Sequence, residues 1–178
     1  MGFCTRVSIL GVMGELNLRQ RRLIKRLKQP LLFRLFVFFK VPFLFWSGTK
    51  MVQLDERQSI TKVRYKFLNT NPFKSMYFAV QSMAAEFATA AHALMAIEGA
   101  SEKVVFIVVK CEGEFYKKVE GVVWFKAASY EGFKAAVAQA IETGEQVEYR
   151  AKAEGVLEDG TVATHFYFTW SFKRKRKS

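Results

Sequence analysis

The segment from Ser75 to Ile97, SMYFAVQSMAAEFATAAHALMAI, is largely apolar, rich in Ala and Met and free of Gly and Pro. These features predict about six turns of helix. Because the apolar residues run nearly all the way round, such a helix has to be buried on most sides. In a chain of 178 residues it needs a sheet to enclose it. Lys50–Leu54 and Ser59–Leu68 flank the turn Asp55-Glu56-Arg57, and the second run alternates Ile60, Lys62, Arg64 and Lys66 with Thr61, Val63, Tyr65 and Phe67. Period two with β-branched and aromatic residues predicts a hairpin. Asn69-Thr70-Asn71-Pro72 has the chemistry of a loop. Beyond the long helix, Lys103–Phe115 and Gly121–Ala128 are strand-like runs separated by Tyr116–Glu120. The stripe Phe133, Ala136, Val137, Ala140, Ile141 predicts a helix over Tyr130–Thr143, with Ser129 as its N-cap and Gly144 just past its end. Glu145–Leu157 and Thr161–Phe172 alternate and meet at Glu158-Asp159-Gly160, a hairpin signal.

Ahead of the first strand, Leu16–Lys28 predicts a helix polar enough to be exposed, ending near Pro30. A second short helix follows to about Phe39. Leu31 to Trp46 is strongly apolar but shorter than the ~20 residues of a membrane span. Arg34 and Lys40 interrupt it, and Pro42 points to an extended segment packed on the body. With the basic stretch Arg19–Lys28 before it, this segment is also a candidate for lying on a membrane surface. The expected class is α+β: a long central helix wrapped by a meander-like antiparallel sheet, with extra N-terminal helices. Residues 1–30 read as a basic extension and helix, 31–172 as the domain, and 173–178 as a basic tail.

Charge changes the picture at the two ends. The formal net charge is +12, yet residues 1–40 hold nine basic residues against Glu15 and Lys173–Lys177 add five more, leaving residues 41–172 at −1. The basic ends favour phosphate-rich partners, an anionic membrane surface before nucleic acid, or serve only as solubilising ends. Cys4 and Cys111 cannot build a disulfide framework, which points to a reducing, cytoplasmic setting, with peripheral membrane contact as an addition. His92 and His165 are far apart and neither Cys has a ligand at metal spacing, so no metal site is expected. Residues 1–12 carry a short apolar run without a small-residue cleavage site and do not read as a signal peptide; Met13 is an alternative start.

The candidate chemistry sits on the long helix. Glu86 is the one charged residue between Ser75 and Ile97. A buried carboxylate must be paired, hydrogen-bonded or protonated, which makes it a functional candidate on physical grounds. Ser75, Ser82, Glu86 and Thr89 follow one another at seven, four and three residues, a narrow polar seam on an apolar cylinder. The bland alternative is an ion pair from Glu86 to Lys62, Arg64 or Lys66, or across a subunit interface. His92 lies off the seam and reads as a satisfied core or interface histidine. Met76, Met83 and Met95 read as core filling.

The segment Asn71-Pro72-Phe73-Lys74-Ser75-Met76-Tyr77-Phe78-Ala79-Val80, with Glu86 downstream, resembles the helix entrance of hotdog-fold acyl-CoA thioesterases of the phenylacetate-pathway type. Those enzymes show an Asn, a Gly-Ser-like pair, a His-Gly-Gly turn and an acidic residue about two turns into the helix. Asn71, Ser75 and Glu86 match, whereas Lys74 replaces the Gly and Tyr77-Phe78-Ala79 replaces His-Gly-Gly. The element order over roughly residues 30–172 is similar to an uncharacterised thioesterase-like branch of that superfamily. The resemblance implies hydrolysis of an acyl thioester with acyl-CoA as substrate and no further cofactor. Glu86 would serve as general base or nucleophile, and the N–H groups around Phe78 and Ala79 would polarise the carbonyl. Asn71, Ser75, Tyr77 and Ser82 would contact substrate, with Tyr77 in place of the His. Lys117 and Lys118 would meet the coenzyme A phosphates, or are simply solvated loop lysines. The acyl chain would lie between helix and sheet, lidded by Leu31–Trp46. It also implies a homodimer or dimer of dimers with sites at the interface. Phe78 occupies space that Gly leaves open, so either the pocket is reshaped or hydrolysis is lost. Two rivals therefore stand: a non-catalytic acyl-CoA or fatty-acid carrier, and a membrane- or nucleic-acid-associated module acting through its basic termini.

Overall fold

The computed structural model describes residues 16–175; Cys4, the opening residues 1–12 with Met13, and the end of the basic tail lie outside the described residues. Three helices lead: α1 (Leu18–Lys28), α2 (Pro30–Lys40) and α3 (Pro42–Ser47). They are followed by β1 (Lys50–Leu54), β2 (Ser59–Arg64), a 3₁₀ turn at Phe67–Asn69, and the central helix α4 (Phe78–Gly99). The chain continues as β3 (Val104–Phe115), β4 (Val122–Ala127), α5 (Tyr130–Thr143), β5 (Val147–Leu157) and β6 (Val162–Arg174). The six strands form one antiparallel sheet in the order β1-β2-β4-β5-β6-β3, and it curls round α4.

The enclosure works because α4 is built of small residues. Ala84, Ala85, Ala88, Ala91, Ala93 and Ala96 are all buried, so the helix backbone comes close to the sheet. Thr61 Oγ1 donates to the Ala84 carbonyl at 2.7 Å across that contact. The inner face of the sheet carries the bulk: Phe125 from β4, and Phe166, Phe168, Trp170 and Phe172 at every second position of β6. Between them β5 presents Ala151, Ala153 and Gly155, so large rows alternate with a small one. Helix α5 covers one end of the sheet, with the fully buried Phe133 against Tyr149 (5.0 Å between ring centroids), Trp170 (6.4 Å) and Phe172 (5.6 Å).

Several expectations are corrected. The sheet is not a meander: β3 pairs with β6 at the far edge while β4 returns beside β2, so β3 and β4 are consecutive without being neighbours. Pro42 opens α3 at its first turn, where its missing N–H costs nothing, so this segment is not extended. Pro30 does the same for α2. Strand β2 stops at Arg64 because the Asn69 side chain accepts from the Lys66 N–H at 2.8 Å and donates to the Arg64 carbonyl at 2.9 Å, closing a turn. Ser129 occupies the cap position of α5 without a side-chain cap bond; its N–H donates instead to His92 Nδ1 at 3.3 Å. Gly144 ends that helix in the left-handed region at φ 72°, as expected. Helix α1 is not simply exposed: Leu27 is buried, and the Gln20 amide donates to the Met95 carbonyl at 3.0 Å and to Tyr130 Oη at 2.9 Å.

Helix α4 begins at Phe78, so Ser75 lies in the preceding loop and not on the helical seam. The one positive φ outside glycine among the described residues, 57°, is at Lys74 in that loop. This is the position where the resemblance expects Gly, and a left-handed conformation explains why Gly suits it. Lys74→Gly should therefore raise unfolding stability by up to about 1 kcal/mol in urea denaturation. Gly155 is the opposite case: a Cβ there would meet Thr164 Oγ1 at 2.3 Å and the Phe125 ring at 2.8 Å. Both neighbours are fully buried, so Gly155→Ala should cost about 1–3 kcal/mol with an unchanged denaturant slope.

Candidate functional site

The loop before α4 is tied down by its own polar groups. Asn71 Oδ1 accepts from the N–H groups of Phe73 (2.9 Å) and Ser75 (3.2 Å), and Asn71 Nδ2 donates to Ser75 Oγ at 3.1 Å. The Met76 N–H donates to the Val119 carbonyl at 2.8 Å, fastening the loop to the β3–β4 connection. Between them opens a cleft of about 450 Å³, walled by Asn71–Phe78 on one side and Phe115–Val119 on the other. Six of the residues expected at the site, Asn71, Ser75, Tyr77, Phe78, Lys117 and Lys118, line this one cleft although 39 positions separate the two groups.

The start of α4 sits at the cleft. Its N-cap, Tyr77, makes no side-chain cap bond, and among the described residues no acceptor meets the N–H groups of Phe78 or Ala79. No acidic residue occupies the first turn. Free donors and the positive end of the helix dipole thus coincide, the arrangement that binds an anion or a developing oxyanion. Phe78 is exposed, with its ring against Tyr77 (4.9 Å) and Phe115 (6.4 Å), so the entrance is apolar where the thioesterase pattern has Gly. Lys117 Nζ lies 3.5 Å from Asp159 Oδ2 in an exposed pair, while Lys118 has no such partner among the described residues.

Gln81 lines the same cleft and was not anticipated. It is buried, its Nε2 donates to the Met76 carbonyl at 3.0 Å, and its Oε1 has no hydrogen-bond partner. Such an oxygen is an acceptor waiting for a donor. The signal existed, since Gln81 is a lone amide in an apolar helix, but it falls beside the Ser82–Glu86 stripe.

Glu86, Ser82 and Ala79 do not line the cleft. The seam faces the β3–β6 end of the sheet: Ser82 Oγ is 3.8 Å from Cys111 Sγ on β3, and Trp170 Nε1 on β6 donates to Thr89 Oγ1 at 3.1 Å. Glu86 stands between these two contacts, and its carboxylate makes no hydrogen bond or ion pair among the described residues. The expected pairing with Lys62, Arg64 or Lys66 does not form; Lys62 instead lies over the Trp124 ring at 4.8 Å. Loss of solvent alone pushes the Glu86 carboxyl up from 4.5 to about 7. Eight residues of helix separate Glu86 from Phe78, about 12 Å along the axis. Nor does Leu31–Trp46 lid the cleft: α2 turns Phe33 onto Phe87 of α4, with ring centroids 5.6 Å apart, and no residue of that segment reaches the cleft walls.

The two histidines differ. His92 is fully buried, with Nε2 donating to the Asp55 carbonyl at 2.9 Å and Nδ1 accepting from Ser129, which makes it the satisfied core residue expected; burial holds its pKa below the usual value. His165 joins a polar cluster drawn from separate strands. Its Nδ1 lies 3.0 Å from Tyr116 Oη, which donates to Glu114, and its Nε2 lies 3.5 Å from Glu154, itself paired with Lys152 at 2.7 Å. The hydrogen bond to Glu114 pushes the Tyr116 hydroxyl up to about 12.

No family model and no curated protein sequence matches this chain. Solved structures do. A Chlorobaculum tepidum protein of unknown function superposes with a TM-score of 0.72 at 13% identity, covering 88% of this chain and 97% of its own. A Pseudomonas aeruginosa protein of unknown function, described as a probable thioesterase, superposes at 0.66 with 18% identity, covering 84% and 99%. A Haemophilus influenzae thioesterase superposes at 0.61 with 12% identity, covering 85% and 95%. At these identities the likeness speaks for architecture: a central helix in a six-stranded antiparallel sheet, the α+β hotdog fold, shared with thioesterase-like proteins.

Proposed function

We propose that the protein hydrolyses an acyl thioester, with Glu86 as the general base. The observation that carries this reading is the Glu86 carboxylate, half-buried on the central helix, without a cation among the described residues, and with its pKa raised to about 7 by loss of solvent. A base works best with a pKa near the operating pH. It would take a proton from the water that attacks the thioester carbonyl. The free N–H groups of Phe78 and Ala79 would hold the developing oxyanion, and the apolar entrance at Phe78 and Phe115 would receive the acyl chain.

Glu86 and those N–H groups are too far apart on one helix to act on one carbonyl, so this chemistry calls for two copies, each supplying one half. The edge strand β3 supports such an assembly. It pairs only with β6, and it exposes Val105 (50%), Ile107 (66%) and Val109 (47%) in alternation along its length. Lys118, unpaired at the cleft, would meet a coenzyme A phosphate. The carrier reading keeps one specific support: Phe78, which stands bulky and apolar at the entrance where the thioesterase pattern leaves room.

Hydrolysis of a panel of acyl-CoAs decides between them. Glu86→Gln should lower kcat/KM by about 10²–10⁴ while acyl-CoA binding persists. Binding without hydrolysis at any chain length would instead make the protein a carrier. The wild-type rate should rise with pH through a value near 7, set by ionisation of Glu86.

Stability should show the same group. Between 4.5 and about 7 the folded chain keeps a proton on Glu86 that the unfolded chain has released. Stability therefore falls as pH rises through that window, by an amount on the order of 3 kcal/mol at full effect. His92, held neutral when folded, acts in the opposite sense below its ordinary value of 6.5, so the wild-type curve mixes the two. The difference between wild type and Glu86→Gln isolates Glu86: denaturant titrations should show the variant gaining relative stability from about pH 4.5 to pH 7 and levelling off above that.

A further inference from the structure

The outer face of the three leading helices is not explained by the thioester site. Helix α2 is apolar apart from Arg34 and Lys40, yet only Phe33 and Val37 are buried against the body. Phe39 is 74% exposed on α2, and Phe43 and Trp46 on α3 are 77% and 60% exposed. The 3₁₀ turn packed beside α3 adds Phe67 and Leu68, also exposed. A bare apolar surface of this extent marks a contact surface in a monomer.

Its rim is cationic. Arg22, Lys25 and Arg26 of α1 and Lys40 of α2 border a groove of about 570 Å³ floored by side chains that include Leu32, Leu35 and Phe39. From Leu16 to Leu54 the chain holds nine Lys and Arg and no Asp or Glu. Among the described residues none of the α1 or α2 cations is in a salt bridge; the Arg34 guanidinium lies over the Phe45 ring at 5.4 Å.

We infer that this face docks on the surface of an anionic lipid bilayer. The bulky side chains enter the hydrocarbon boundary while Arg22, Lys25, Arg26 and Lys40 meet lipid phosphates at its edge. A second copy fits the face less well. A two-fold contact sets a patch against itself, which would bring the unpaired cations of one copy up against those of the other. A bilayer supplies anions at the rim and apolar surface at the centre together. The helices lie along the interface and do not cross it: α2 has 11 residues, and no helix among the described residues is long and apolar enough to span. This inference stands on the helices alone and holds whether or not the protein cleaves thioesters.

Vesicle flotation of the full chain tests it, comparing phosphatidylcholine alone with phosphatidylcholine containing about one third phosphatidylglycerol. The chain should float with the mixed vesicles and not with the neutral ones, and less so in high salt. Phe39→Ser with Phe43→Ser, and separately Arg22→Gln with Arg26→Gln, should each weaken binding about tenfold or more. All four side chains are exposed, so the thermal midpoint should not move, which separates lost docking from lost folding. Absence of flotation with either vesicle would overturn the inference. So would binding that both variants retain, as expected if the Lys173–Lys177 tail were responsible. A wild-type oligomer that Phe39→Ser with Phe43→Ser disperses, with no vesicle binding, would assign the face to contact between copies and overturn it as well.

Discussion

The structure depends on one constraint: α4 is apolar on nearly every side and must be enclosed by a sheet close enough to exclude water. The close approach is possible because seven of its buried residues are alanines, so the aromatic bulk can come from the sheet. Trading small against large across the contact sets the rest. The row of β6 aromatics needs the small row of β5 beside it, and Gly155 is where the Phe125 ring and Thr164 leave no room for a Cβ. The outer elements, α1 and α5, then cover what the sheet leaves open.

Against this background Glu86 is the exception that the packing does not absorb. Every other polar group near the middle of α4 is satisfied: Thr89 by Trp170, His92 by Asp55 and Ser129. Glu86, half-buried, has lost much of its water without gaining a partner among the described residues. A carboxylate left in that condition costs stability near neutral pH, and proteins tolerate such costs chiefly at functional sites. The cleft at the start of α4 carries a second unmet need, with free N–H donors above and the unpartnered Gln81 oxygen within. An acceptor and donors side by side suit a substrate that offers both.

The leading helices carry the third imbalance. Their inner face is fastened to α4 by Gln20, Leu27 and Phe33, so they belong to the folded body, while their outer face stays apolar and rimmed by cations. The candidate cleft and this face are linked along the chain, since the turn at Phe67–Asn69 packs beside α3 and leads into the loop at Asn71. The proposed acyl substrate and the proposed docking surface would be compatible demands on one small protein.

Which parts were legible from sequence follows from the range of the interactions. Strand alternation, the α5 stripe with Gly144 at its end, the Asp159-Gly160 turn and the all-round apolarity of α4 are short-range patterns. Most elements appear within a residue or two of where periodicity and turn chemistry put them, while β2 stops four residues early and α4 starts three residues late, where the Asn69 and Asn71 side chains bond the loop between them. The isolated charge at Glu86 was visible for the same reason. Strand order was not, because β3 pairs with β6 some fifty to seventy positions away, and alternation says only that a strand has two faces, not which neighbour it meets. Nor was the division of the candidate site legible. Spacing put Ser75 on one seam with Glu86, but the loop bonds of Asn71 hold Ser75 off the helix and in a cleft with Lys117 and Lys118, while Glu86 stands about two turns further along α4 and lines no part of that cleft. The sequence determined which residues are apolar, charged or turn-forming. Only the tertiary structure decided which of them lost their water and which found a partner, because desolvation and pairing depend on segments far apart along the chain.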